Sequence, residues 1–445
     1  MRSSKEREGL GVEEPDPLGG EPYPTLSRSS AIAAPPPPSA SIKGIALSHT
    51  FSSLRHRNYR LLWLGTLISS SGDWMDQLAF NWLIYQLTES AVYLGIANLC
   101  RLTPVLVFTL IGGVAADRVE RRRLMFTTQS AAMLLALVLA VLVSTGLVQV
   151  WMVLLVAVGR GVMMSFNQPA RQSLISELVP PEDLMNAIAL NSATLNLTRV
   201  IGPAIGGLLI VTVGVAGAFY FNAASFLAVL YGLWLMELPD RRSSMHRGLF
   251  TDLVSGMQYL WTQPALRALV LLAILPMVLG MPYMTMLTVF AKDVLHVGGG
   301  GLGLLTASSG FGAVCGALFI ASLTTGQRWK LMLGGMIGFG FFLSVFALSP
   351  WLWLSVLALI AVGVSQQIFM ATNNTLIQTY VDEAYRGRVL STLFINRGMV
   401  PLGTMLAGFG TAIFGAPITI GAMGMALVIM ALLAMRLAPT ARDLP

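Results

Sequence analysis

Apolar residues in this chain come in long runs separated by short polar punctuation. The first half carries runs at about 61–85, 91–115, 124–145, 150–168, 186–213 and 217–236. After a hydrophilic stretch they resume at about 268–290, 301–323, 331–349, 351–371, 389–412 and 417–437. Each is close to the roughly 20 residues that an α-helix needs to cross a hydrocarbon core. The pattern predicts an all-α polytopic membrane protein with 12 transmembrane helices in two six-helix bundles, residues 50–236 and 264–440, joined by a linker at 237–263. Residues 1–49 are rich in proline, serine and charge, a composition that cannot bury a core, so a disordered cytoplasmic tail is expected there, with a short tail at 441–445. Glu6, Glu8, Glu13, Glu14 and Asp16 spoil the basic start of a signal peptide.

Charge placement sets the orientation. With the N-terminus in the cytoplasm, the inner loops hold Arg118, Arg121, Arg122, Arg123, Arg171, Arg241, Arg242, Arg247, Arg328, Lys330, Arg386 and Arg388, and the outer loops hold Lys292 alone. Basic residues concentrate on cytoplasmic loops, so both termini are expected inside, at the cytoplasmic membrane. Composition agrees: 11% of residues are charged, against about 25% in a soluble protein, and the mean hydropathy is +0.71. The net charge of +7 is spread over short loops and does not imply a nucleic-acid partner. Cys100 and Cys315 lie inside apolar runs and His49, His56, His246 and His296 in tails or loops, so neither a disulfide framework nor a metal site is expected.

The most informative loop is Gly112-Gly113-Val114-Ala115-Ala116-Asp117-Arg118-Val119-Glu120-Arg121-Arg122-Arg123, between the second and third runs. Its pattern, Gly113-x-x-x-Asp117-Arg118-x-x-Arg121-Arg122, resembles the signature loop between helices 2 and 3 of the major facilitator superfamily of secondary transporters. An acid at Glu120, where that family usually has glycine, is similar to the branch of enterobactin exporters and related small-molecule effluxers. The resemblance covers about residues 50–437 and implies two bundles related by an axis along the membrane normal. It also implies a conformational latch at Gly113, Asp117, Arg118 and Arg121. Asp117 would meet the N-terminus of helix 11, near Gly387 to Leu390, where a carboxylate suits the positive helix end. The arginines would add salt bridges between bundles, or only fix topology. The matching loop in the second half, Thr324-Thr325-Gly326-Gln327-Arg328-Trp329-Lys330, has no acid, so the latch is expected to be asymmetric.

An internal repeat is consistent with two like halves. Ser173-Leu174-Ile175 matches Thr375-Leu376-Ile377, and Arg199 four residues before Pro203 matches Arg397 four residues before Pro401.

Ionisable residues far from span ends are the candidate transport groups, because each costs about 2.5–3.5 kcal/mol to insert and so faces a cavity or a partner. Asp73 and Asp76 are three apart, on one face of the first helix. Such a pair suits proton coupling, or simply pairs with Arg101 or Arg160 to hold helices together. Arg101, Arg160, Arg199 and Arg397 are the deep cations. They fit a cavity for an anionic or electron-rich substrate, or reach carbonyls and the surface. Arg160, about two turns from the predicted end of its span, is placed to snorkel. Asn81, Asn191, Asn196, Gln366 and Gln367 are further polar candidates for the cavity wall or for interhelical bonding.

Gly202-Pro203-Ala204-Ile205-Gly206-Gly207 resembles the Gly-Pro-x-x-Gly-Gly signature of facilitator-superfamily exporters, with Thr198 in place of the longer form's leading glycine. The resemblance implies export, commonly by antiport. Proline deletes a backbone bond and glycine admits a neighbouring helix, so Gly202, Pro203, Gly206, Gly207 and, by repeat, Pro401 are expected at gating bends. No P-loop and no hydrolase motif is present, so no catalytic residue and no cofactor is expected, with the proton gradient as energy source. The expected function is a carrier, working as a monomer in the bilayer, that extrudes an amphiphilic drug- or siderophore-like molecule in exchange for protons. The alternatives are an uncoupled or uptake carrier of a metabolite, or a sensor or scaffold that keeps the transporter fold.

Overall fold

In the computed structural model the described residues are 51–236, 258–323, 327–382 and 398–437, less the side chains of Leu110, Val114, Ala116 and Asp117. The expectations for the 1–49 tail, most of the 237–263 linker, the 441–445 tail, Arg397 and the Gly387–Leu390 contact lie outside the described residues. The first half consists of α1 (Arg57–Thr88), α2 (Ala91–Arg118), α3 (Arg121–Ser144), α4 (Val150–Leu178), α5 (Pro181–Thr212) and α6 (Gly214–Leu235). The second consists of α7 (Pro264–Val294), α8 (Gly298–Ala321), α9 (Arg328–Ala347), α10 (Leu352–Tyr380), α11 (Val400–Phe414) and α12 (Ala416–Leu437).

Among the described residues, ten helices are long and apolar enough to cross a membrane, and α11 is a shorter apolar helix. The remaining helix, α1, is long enough, but its middle is the polar stretch Ser69-Ser70-Ser71-Gly72-Asp73. Several helices outrun the apolar runs that predict them. α4 continues ten residues past the expected 168, through Pro169, because Ala170, Leu174, Ile175 and Leu178 keep a buried face at helical spacing. α7 stays helical past Pro276 by widening to π-type turns at Pro276–Gly280 and Phe290–Val294.

Apart from the stretches between α6 and α7 and between α10 and α11, connections are short, and the helices they join run antiparallel. Only Glu89 and Ser90 separate α1 from α2, with Glu89 in the left-handed region at φ 49°. The α5–α6 and α11–α12 turns place Gly214 (φ 78°) and Gly415 (φ 84°) in conformations that suit glycine, the same turn in each half.

Packing repeats with a period of six helices. In the first half α2 lies on α4, α3 on α4 and α6, and α1 on α5 and α6; in the second, α8 lies on α10, α9 on α10 and α12, and α7 on α11 and α12. The two halves meet along α5–α8 and α2–α11. The second half is stiffened by buried aromatics, with Tyr283 edge-on to Phe339 and Phe290 against Phe346, ring centroids 6.2 and 4.6 Å apart. Large apolar side chains such as Leu155, Leu208, Trp353, Leu357 and Ile413 point outward, the arrangement for a chain solvated by lipid.

Candidate functional site

The polar middle of α1 aims its acids in two directions. Asp76 is fully buried and accepts a hydrogen bond from Arg160 Nη1, while its Oδ1 has no partner among the described residues. Asp73 lies one turn earlier, its Oδ1 3.9 Å from Arg160 Nη2, with 49% of its side chain exposed. Arg160 therefore does not snorkel. The extension of α4 leaves it mid-helix, its side chain 6% exposed and held by an acid. On α2, Arg101 donates to Gln77 of α1 rather than to either acid.

These groups wall a cavity of about 350 Å³ built from the helices of the first half, within the usual size of a small-molecule site. Asp73, Arg101, Arg160 and Arg171 supply its charge, and Trp74, Leu102, Met163, Met164, Leu195 and Phe226 its apolar surface. Arg171, placed in a loop by the sequence pattern, is buried on the extended α4; it donates to Gln168 at 3.1 Å and its Nε has no partner among the described residues. Within hydrogen-bond reach, Arg101 and Arg171 are thus satisfied by neutral amides, which leaves guanidinium donors for a ligand. Asp73 is the exposed acceptor. A fixed ion pair (Asp76–Arg160), an accessible acid and two lightly engaged cations can take a molecule with both hydrogen-bond donors and acceptors, and can take a proton on Asp73.

The other expected site residues are more dispersed. Arg199 does not line this cavity. It bonds Gln366 of α10 at 3.1 Å and approaches the Met284 sulfur of α7, tying the halves together. Asn196 bonds its own helix at Ser192 O, and Asn191 and Gln367 line neither this cavity nor the one described below. Arg121 donates to Glu177 of α4 within its own half. Arg118 is exposed at the end of α2, Gly113 is half-buried in that helix, and the Asp117 side chain lies outside the described residues. The Gly-Pro motif does not break α5, which runs continuously from 181 to 212. Its glycines admit neighbours instead. A Cβ at Gly202 would lie 2.8 Å from Ser71 O, one at Gly206 3.0 Å from Met75 Cα, and one at Gly207 2.7 Å from Gly303 Cα. Pro401 sits in the first turn of α11, where a missing N–H breaks no helical bond.

One cross-half cluster has no signal in the local sequence. At the end of α1, Tyr85 donates to Asp293 of α7, and Glu89 meets Lys292 at 3.2 Å. Lys292 also lies 5.2 Å from the Tyr85 ring centroid. The Glu89–Lys292 pair is exposed and is expected to contribute under about 1 kcal/mol. The bond from buried Tyr85 to a carboxylate is expected to contribute about 1.5 kcal/mol. Double-mutant cycles, Tyr85→Phe with Asp293→Asn and Glu89→Gln with Lys292→Met, measure both couplings by thermal unfolding. A larger coupling for the ion pair would contradict this ranking.

Comparison with known proteins gives a consistent picture. The model of the family described as transmembrane secretion effector matches residues 48–444. The Staphyloferrin A transporter of Staphylococcus aureus is 28% identical over 80% of this chain and 90% of its own. The multidrug efflux pump Tap of Mycolicibacterium fortuitum is 28% identical over 86% and 96%, and the enterobactin exporter EntS of Shigella flexneri 29% over 75% and 80%. Among solved structures, a bacterial homologue of the human lysosomal transporter Spinster, inward-facing and occupied, superposes with a TM-score of 0.69 at 17% identity, over 88% of this chain and 99% of that one. The nucleoside transporter NupG gives 0.66 at 16%, over 87% and 99%.

Proposed function

The chain belongs to the transmembrane secretion effector family of the major facilitator superfamily and is a multi-pass membrane efflux transporter, not an enzyme; we propose that it exports an amphiphilic small molecule by alternating access in exchange for protons. The observation that carries this reading is the cavity in which an exposed acid, Asp73, stands beside a buried Asp76–Arg160 pair and two arginines engaged only by amides. The relatives' names, a staphyloferrin A transporter, an enterobactin exporter and a multidrug efflux pump, support a siderophore- or drug-like small molecule as the substrate. In this reading Asp73 holds either a substrate donor or a proton. Protonation replaces the charged acceptor with a weaker neutral one, so proton and substrate compete for Asp73, as antiport requires. Arg101 and Arg171 take the substrate's acceptors. Asp76 stays locked to Arg160 and fixes the α1–α4 geometry.

The arginine-rich loops orient both termini to the cytoplasm, which makes the face of the 89–90 turn the outer one. Described contacts between the halves run from mid-helix, through Arg199–Gln366, to that face, through Tyr85–Asp293, Gly408–Ala91 and Gly207–Gly303. One chain holds both halves, so a monomer suffices, with the proton gradient as its energy source.

The test is export from everted vesicles with the pH gradient intact or collapsed. Asp73→Asn is expected to lose uphill, gradient-driven export at least tenfold while retaining downhill substrate exchange. Wild-type protein that equilibrates substrate regardless of the gradient would establish an uncoupled carrier instead. Full pumping by Asp73→Asn would remove Asp73 from the coupling role.

A further inference from the structure

A second cavity, of about 170 Å³, lies between the halves, bounded by α1 and α2 on one side and by α7, α8 and the first residue of α11 on the other. It shares Trp74, Gln77 and Asn98 with the charged cavity, so these three side chains form a common partition. From its structure we propose that this cavity is a tail subsite: the exported molecule lies across both cavities, its polar head among the arginines and an uncharged, flexible tail against α7 and α8. The proposal rests on the charged cavity being the transport site.

Space is the first argument. A single buried water needs roughly 10–15 Å³ of this kind of volume, and the second cavity offers more than ten times that. Chemistry is the second. No ionisable side chain lines it; Leu78, Met281, Met284 and Leu302 give it apolar and pliable walls. A charged group there would be desolvated without a partner, so charge is directed to the first cavity. The polar atoms are mostly engaged already. Asn81 Oδ1 accepts from Gln77 Nε2 at 3.3 Å and from Asn98 Nδ2 at 3.4 Å, and Thr306 bonds its own helix. Thr288 is 1% exposed, and its Oγ1 has no partner among the described residues.

The partition is itself a polar chain that reaches the head site. Asn98 and Gln77 both donate to Asn81, and Gln77 accepts from Arg101. Gln77 is therefore a positioning residue, fixing the Arg101 guanidinium from the tail side of the wall. A head alone touches only the first half, whereas a head with a tail touches α7 and α8 as well. Tail length thereby decides whether a ligand can favour one arrangement of the halves over the other, since only differential contacts shift such an equilibrium.

The experiment uses purified full-length protein and the uncharged series methyl, butyl and octyl gallate, with affinity measured by isothermal titration calorimetry. A buried methylene contributes about 0.8 kcal/mol, roughly fourfold in Kd. The butyl ester is expected to bind at least tenfold more tightly than the methyl ester. Thr288→Phe and Met284→Trp fill the tail cavity and are expected to abolish that gain while leaving methyl gallate affinity within about twofold, which also reports that the variants are folded. Thr288→Ser keeps the gain. Arg171→Gln weakens all three esters alike. A butyl gain that survives both filling variants overturns the tail subsite and leaves the charged cavity intact as head site. Failure of every ester to bind, or indifference of all three to Arg171→Gln, overturns the head site and the tail subsite together.

Discussion

Arg160→Met is expected to destabilise the protein by about 3–5 kcal/mol, the effect of leaving a buried charge without its partner, and by clearly more than Asp76→Asn. The asymmetry follows from the geometry. Arg160 faces two acids, Asp76 in direct contact and Asp73 at 3.9 Å. Removing the guanidinium strands a carboxylate with no exposure at all, whose Oδ1 already lacks a partner. Removing the Asp76 charge leaves Arg160 with Asp73 still beside it, and the asparagine can still accept a hydrogen bond. A matched apolar pair, Asp76→Leu with Arg160→Met, is expected to recover most of the loss, because replacing both members of a buried ion pair is often close to neutral. Thermal unfolding in detergent measures the order: Arg160→Met lowest, Asp76→Asn intermediate, the double variant near wild type. Export is expected to stay lost in the double variant, since the cavity then has an apolar wall where its fixed charge stood. An Asp76→Asn protein as unstable as Arg160→Met would mean that Asp73 gives Arg160 no compensation.

What was legible in the sequence follows from which forces are local. Apolar run length marked the helices, because lipid imposes it segment by segment. Asp73, Asp76, Arg101 and Arg160 stood out because charge inside an apolar run is costly wherever it folds. Arg171 did not, since Pro169 reads as the end of a span; the spacing of Ala170, Leu174, Ile175 and Leu178 was the signal that the helix goes on. Tyr85, Asp293, Gln77 and Thr288 carry no local mark at all. Tyr85 and Asp293 meet across 208 residues of chain, Gln77 takes its role from Arg101 on the next helix, and the Thr288 hydroxyl is left by packing without a partner among the described residues. The Gly-Pro motif was legible as a close-packing element, but its partner was not. Only the fold shows that Gly202 and Gly206 face α1 while Gly207 faces the other half.

That last distinction predicts a conformational variant. Gly207 and Gly303 meet backbone to backbone across the α5–α8 contact. A Cβ on Gly207 would lie 2.7 Å from Gly303 Cα and 3.1 Å from Gly299 O. The obstacle is main chain, so no change of rotamer relieves it, and the halves must part at this point. Overpacking of this kind typically costs 1–3 kcal/mol, and here the cost falls only on the arrangement in which α5 and α8 touch. Gly207→Leu is therefore expected to shift the balance away from that arrangement by roughly 5- to 150-fold and to reduce export at least tenfold. Spin labels at Val213 and Val297, which flank the contact at the ends of α5 and α8, report the separation directly, and their distance distribution should move to longer values. Gly65→Leu is the control, because a Cβ there meets Val229 Cα at 2.7 Å within the first half. It should lower stability without separating the labels. If Gly207→Leu exports at the wild-type rate with an unchanged distribution, the α5–α8 contact is not part of the transport cycle; if Gly65→Leu separates the labels equally, the effect is general loosening of the bundle.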